Sequence, residues 1–142
     1  MKPWINEPEK ITLEKIGFVY EIVSKDLGKY YIGQKKFWLK RKTKKKGEKR
    51  YSHRCVESNW RTYFGSNIKL LADVEKYGHD VFQRKILRIC YSKAYMNYLE
   101  TKFQFDLGVL FDKNSYNKII NCRITQKQLK KEDYRYMKYK DR

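Results

Sequence analysis

The 142-residue chain carries 34 Lys and Arg against 16 Asp and Glu, a net charge of +18, with 41% hydrophobic and 16% aromatic residues. That length fits a single domain spanning 1–142, and a chain this apolar and aromatic is not a disordered basic tail. No apolar run approaches the ~20 residues of a membrane span, and the start, MKPWINEPEK, is not a signal peptide. Cys55, Cys90 and Cys122 lie far apart with no CxxC pair, which argues against a disulfide framework or zinc knuckle and for a reducing cytoplasm.

A charge excess of this size destabilises a compact state by self-repulsion, and the usual reason to keep it is a polyanion partner. Here that means nucleic acid rather than membrane, since nothing reads as a basic amphipathic helix with a large apolar face. A general solubility charge is the bland alternative, and the clustering of the cations weighs against it.

In chain order, Gly17–Val23 is β-rich, with Phe18, Tyr20 and Ile22 on one face at period two. The turn formers Asp26 and Gly28 follow, and Tyr30–Gly33 gives a short second strand, so the pair predicts a β-hairpin. Residues 35–54 then hold eleven positives and one acid, Glu48. A run this dense repels itself, and it is expected to be a mobile loop or ribbon that orders on a phosphate backbone. Trp38, flanked by Lys35, Lys36, Lys40 and Arg41, is placed to insert toward a groove. Ser66 or Asn67 caps a helix whose apolar positions are Ile68, Leu71, Ala72 and Val74, ended by Gly78. Residues 81–91 (VFQRKILRICY) suit an edge strand or a half-exposed sheet face. Ser92 caps a second helix with Tyr95, Leu99 and Phe103 at i, i+4, i+8 and Met96 alongside. Past Gly108 the chain turns loop-like, and from Gln126 the tail carries seven positives interleaved with Tyr134, Tyr136 and Tyr139, as a helix or a frayed end. The fold class is therefore α+β, a small antiparallel three-stranded sheet flanked by helices. Trp4 is expected to cover the sheet. Trp60 and Tyr63 either pack under the first helix or stack on bases.

Two tyrosines on paired strands, Tyr20 and Tyr31, are by themselves ordinary core residues. The hairpin that carries them, however, resembles the signature of the GIY-YIG nucleases, with Phe18-Val19-Tyr20 in place of Gly-Ile-Tyr and Tyr31-Ile32-Gly33 matching the second half. The likeness continues through Ser66–Leu70, Glu75–Gly78, Val81-Phe82 and Ile86-Leu87 to a helical Glu100 and the Tyr116-Asn117 pair, covering roughly residues 15–124. The same helix-then-strand pattern recurs in phage homing endonucleases of this family.

That resemblance implies an endonuclease that hydrolyses DNA phosphodiester bonds with a divalent metal, Mg²⁺ or Mn²⁺, one ion per site. It makes Tyr20 the general base, Tyr31 its partner on the water or scissile phosphate, Glu100 the single protein ligand of the metal, and Asn117 a brace for loop and glutamate. A free phenol with a pKa near ~10 is a poor base at neutral pH, so basic neighbours and a metal are expected to lower it. Mg²⁺ tolerates one carboxylate plus waters and phosphate oxygens, so no second acid is needed. The catalytic arginine is expected at Arg61, with Arg41 second and Lys35 a third phosphate contact. His53 and His79 are expected to be solvated or in a turn. Lys35, Lys36, Arg41, Lys44, Lys45, Lys46, Arg50 and Arg54 are the candidate nucleic-acid contacts. Double-stranded DNA is the expected partner, and a homodimer would let two single-metal sites cut opposite strands. The length leaves no room for a separate recognition domain. The competing reading is a non-catalytic nucleic-acid binder that keeps the fold, for which the charge alone suffices.

Overall fold

Alternation of apolar residues builds the central sheet. A computed structural model describes residues 1–44, 46–50 and 52–133. Strand β1 (Gly17–Ser24) is antiparallel to β2 (Lys29–Lys36) on one side and to β5 (Gln83–Cys90) on the other, giving the order β2-β1-β5. Tyr20 pairs with Gly33 and Ile86, and Ile22 pairs with Tyr31 and Arg84, so these residues share one face. A register shift between Val19 and Tyr20 marks a bulge beside the first tyrosine. β5 is an edge strand, as its mixed composition predicts.

Each face has its own core. Phe18, Tyr20, Ile22, Trp4, Phe37, Trp60 and Phe64 are buried together on one side, under helix α1 (Ile68–Tyr77) and the segment before it. Val19, Ile32, Cys90, Tyr95, Met96 and Leu99 are buried on the other, under helix α2 (Lys93–Asp106). Burying each large apolar side chain contributes about 1.5–3 kcal/mol, which two small clusters need in order to hold three strands. Of the two cap candidates for α1, Ser66 and Asn67, it is Asn67 whose Oδ1 accepts from Leu70 N at 3.0 Å, and Ser92 Oγ accepts from Tyr95 N at 3.1 Å as predicted. Gly78 closes α1, its N–H bonded to the Val74 carbonyl at 2.8 Å.

Two expectations need correction. The buried side of α1 is Leu70 and Val74, while Ile68 is 84% and Leu71 41% exposed. The helix is only ten residues long and meets the sheet along a narrow line, so its other apolar positions face solvent. The second strand runs to Lys36 rather than stopping at Gly33, which puts Lys35 and Lys36 in the central sheet instead of a loop. The rest of the basic run is a separate ribbon, β3 (Trp38–Thr43) paired antiparallel with β4 (Ser52–Glu57). Buried Phe37 separates ribbon from sheet, its N–H bonded to Ile16 O at 3.0 Å and its carbonyl accepting from Ser58 N at 2.8 Å. Lys44, Lys46 and Arg50 are exposed between the ribbon strands. Lys45 and residues 134–142, with Tyr134, Tyr136 and Tyr139, lie outside the described residues. The described part of the tail holds a 3-10 turn, Gln126–Gln128, and turns helical at residues 131–133. Among the described residues no helix is long and apolar enough to cross a membrane, and the three cysteines are free thiols.

Candidate functional site

The site forms where side chains from both faces meet around the free edge of β2. Tyr20 lies on the middle strand, and its phenol passes across Gly33 on the edge strand. A Cβ built on Gly33 would lie 2.5 Å from the Tyr20 hydroxyl, so only glycine lets the phenol through. Tyr31 packs beside it, ring centroids 6.2 Å apart, and Tyr63 meets Tyr20 edge-on at 6.1 Å. Gly65, at φ +86°, carries the 63–66 loop over both tyrosines. A side chain there would stand 3.2 Å from the Tyr31 ring and 3.4 Å from the Tyr20 hydroxyl. Ser66 hydrogen-bonds Tyr31.

Glu100 reaches the same edge from α2 on the opposite face, with charge coupling to both Tyr20 and Tyr31. Its Oε1 accepts from Gln104 Nε2 at 3.1 Å, and Gln34, also on β2, hydrogen-bonds the same carboxylate. Gln34 in turn donates to Asn97 Oδ1 at 2.7 Å. The second oxygen, Oε2, is buried with no hydrogen-bond partner among the described residues. A buried carboxylate oxygen left bare costs about 1–3 kcal/mol or more, so the donor set is incomplete as it stands. A divalent cation with waters and phosphate oxygens fits that oxygen. Among the described residues no group of three or more His, Cys, Asp or Glu could hold a metal.

The electrostatics run opposite to the sequence expectation for the base. Burial holds the Tyr20 phenol well above its usual range, and Tyr31, Tyr63 and Glu100 push it further up. Tyr31 is also raised, chiefly by burial, with the Ser66 hydrogen bond pulling the other way. Burial likewise raises Glu100, against the hydrogen bonds from Gln34 and Gln104. The protein by itself therefore keeps both phenols protonated, because both rings are buried and Tyr20 further faces two phenols and a carboxylate.

The predicted site residues divide into two groups. Tyr20, Tyr31 and Glu100 come together. Arg61 does not join them: its Nη1 bonds Glu7 at 2.8 Å, its Nε bonds Glu57 at 3.3 Å, and its guanidinium lies 4.3 Å from the Trp60 ring. Arg41 sits on the ribbon opposite Arg54. The cation held against the tyrosines is Lys35, whose Nζ is 4.1 Å from the Tyr63 ring and whose pKa burial lowers. Asn117 braces a strand and not the glutamate. Its Nδ2 donates to Ile32 O at 2.8 Å and its Oδ1 accepts from Ile32 N at 2.9 Å, capping the free edge of β2 between Tyr31 and Gly33. Trp4 and Trp60 are core residues, Trp4 Nε1 donating to Trp60 O at 2.8 Å. His79 follows Gly78 as expected and packs on Phe64, and His53 belongs to β4.

Sequence reasoning missed Gln34, Gln104 and Ser66 as site residues, and it missed Arg84. The Arg84 guanidinium is buried between the Trp4 and Phe64 rings and donates to the carbonyls of Lys2, Arg61 and Tyr63 at 2.7, 3.1 and 2.8 Å. It fixes the loop that presents Tyr63. The one sequence signal for this loop was Tyr63-Phe64-Gly65-Ser66, a glycine between aromatic and hydroxyl residues ahead of a helix cap.

Comparison with curated proteins and comparison with solved structures give no match. A family model does match, over residues 4–121, and it is described as putative endonuclease segE, GIY-YIG domain. The matched span contains both tyrosine strands, the 63–66 loop, α1, β5, α2 and Asn117, and the chain belongs to this family of GIY-YIG endonuclease domains.

Proposed function

We propose that the protein is a metal-dependent endonuclease that hydrolyses DNA phosphodiester bonds at the free edge of β2. The observation that carries this reading is the bare, buried Oε2 of Glu100 beside two protonated phenols, in a domain family of endonucleases. Glu100 would hold Mg²⁺ or Mn²⁺, and when bound the ion supplies positive charge that favours the phenolate and the charge developing on the phosphate. Tyr20 then takes a proton from the attacking water, whose oxygen bonds to phosphorus as the bond to the 3′-oxygen breaks. The departing 3′-oxygen picks up a proton, leaving a 5′-phosphate and a 3′-hydroxyl. Tyr31, held by Ser66, hydrogen-bonds the water or the phosphate. Lys35 takes the electrostatic role expected of Arg61, and its seat on Tyr63 supports that exchange.

The test is plasmid cleavage with Mg²⁺ or Mn²⁺ alongside a binding measurement. Glu100→Ala and Tyr20→Phe are expected to lose cleavage by about 10²-fold or more while still binding DNA. Lys35→Ala is expected to lower the cleavage rate more than Arg61→Ala. Wild-type rates in the first two variants would remove the site assignment, and DNA binding without scission under any divalent ion would favour the non-catalytic binder.

A further inference from the structure

The ribbon, the start of α2 and the segment leading to the tail enclose a groove that the catalytic reading does not use. Lys36, Lys40, Arg41, Lys93, Arg123 and Lys130 line it, with no acidic residue on its walls among the described residues. None of the six forms an ion pair among the described residues. The cations come from three stretches of chain far apart in sequence, so the fold itself gathers them. Charge density is costly here: Arg41 stands directly opposite Arg54 across the ribbon, and like charges facing each other in a ladder destabilise it. Trp38 forms part of the floor, its ring fixed by a hydrogen bond from Nε1 to Thr12 O at 3.1 Å.

The groove also reaches the catalytic edge. Asn97 lines it and accepts from Gln34 at 2.7 Å, and Gln34 bonds Glu100. A chain of two side chains thus links the groove wall to the carboxylate. We propose that this groove is the track for the phosphate backbone of the DNA flanking the cut, delivering the scissile phosphate to the edge of β2. The inference rests on the nuclease reading for its choice of DNA, and on the placement of these cations for its location. The rim of cations neutralises successive phosphates, and the Trp38 face offers a base or sugar an apolar contact. Binding relieves the repulsion stored in the ribbon, so affinity is expected to depend steeply on salt.

The experiment compares two triple variants of the full chain by fluorescence anisotropy with a labelled duplex, without divalent ions, over a range of salt. One is Lys40→Ala with Lys93→Ala and Lys130→Ala. The other removes the same charge elsewhere, through Lys10→Ala, Lys69→Ala and Lys76→Ala. The groove variant is expected to lose about tenfold or more in affinity near about 100 mM salt, with the salt slope reduced by about two to three. The control is expected to lose far less. Equal losses in the two variants, or a groove variant that binds as the parent does, would overturn the proposal. All substituted residues are exposed, so both variants are expected to keep the fold, and thermal melts of each check this. A parent chain that binds through the groove yet never cuts DNA with Mg²⁺ or Mn²⁺ would sink the nuclease reading and leave the groove standing. Cleavage that persists when the groove variant binds normally would do the reverse.

Discussion

Glu100 joins the chemistry of the site to the stability of the fold. Its folded-state pKa is raised, mainly by burial, so folding favours the neutral acid. Stability tied to it is fully present below the ordinary carboxylate range and is lost as pH rises through the raised value. The metal-free protein therefore carries a buried carboxyl whose ionisation folding opposes, with one oxygen bare among the described residues. Glu100→Gln is expected to stabilise the metal-free protein at neutral pH by about 1–3 kcal/mol, the cost of such an orphaned group. The gain should vanish as pH falls below the usual carboxylate pKa. Mn²⁺ should raise the melting temperature of the parent and leave that of the variant unmoved. Thermal melts across pH, with and without the ion, read all three effects, and a variant less stable than the parent at neutral pH would contradict the argument.

On the proposed function the edge of β2 stays open to substrate while its backbone groups are satisfied. Asn117 meets that need at Ile32 by replacing the missing neighbour strand with one amide, donor and acceptor both used. The adjoining segment is tied to α1, since Asn67 Nδ2 bonds Tyr116 O at 2.9 Å and the Tyr116 hydroxyl bonds Asp73 at 2.6 Å. Strand, helix and loop are thus locked next to the two tyrosines. Asn117→Ala leaves a buried N–H and C=O without partners, and each costs about 1–3 kcal/mol. Chemical denaturation is expected to show a loss of several kcal/mol, with cleavage falling alongside because Tyr31 and Gly33 flank the freed residue. A near-neutral change would mean that the edge is supported by something other than this amide.

Taken as a whole, the molecule separates stability from charge. Its two cores lie on the faces of the three-stranded sheet, and the densest positive charge sits on a ribbon that pairs with itself. Replacing residues 40–55 with a two-residue Asn-Gly turn between Leu39 and Val56 is therefore expected to change stability by only about 1 kcal/mol, in either direction, since lost ribbon pairing is offset by lost repulsion. DNA affinity should fall sharply and its salt dependence flatten. Denaturation and anisotropy on the same variant check both, and collapse of the fold would show that the ribbon props up the core.

The amino-acid order alone was enough for the period-two strands around Tyr20 and Tyr31, the caps at Asn67 and Ser92, the family, and the charge excess, because each rests on local spacing or on composition. Glu100 at the border of an apolar helical stripe was legible for the same reason. What pairs across the chain was not. Arg61 and Lys35 are both cations near the signature, and only packing shows that Glu7 and Glu57 hold the first while Tyr63 seats the second. The resemblance makes Asn117 a brace for loop and glutamate, and only the fold shows that it holds Ile32 instead, 2.9 Å away. The direction of the Tyr20 shift also belongs to tertiary structure. It is set by how deeply the ring is buried and by which charges stand around it, and a string of residues specifies neither until it folds.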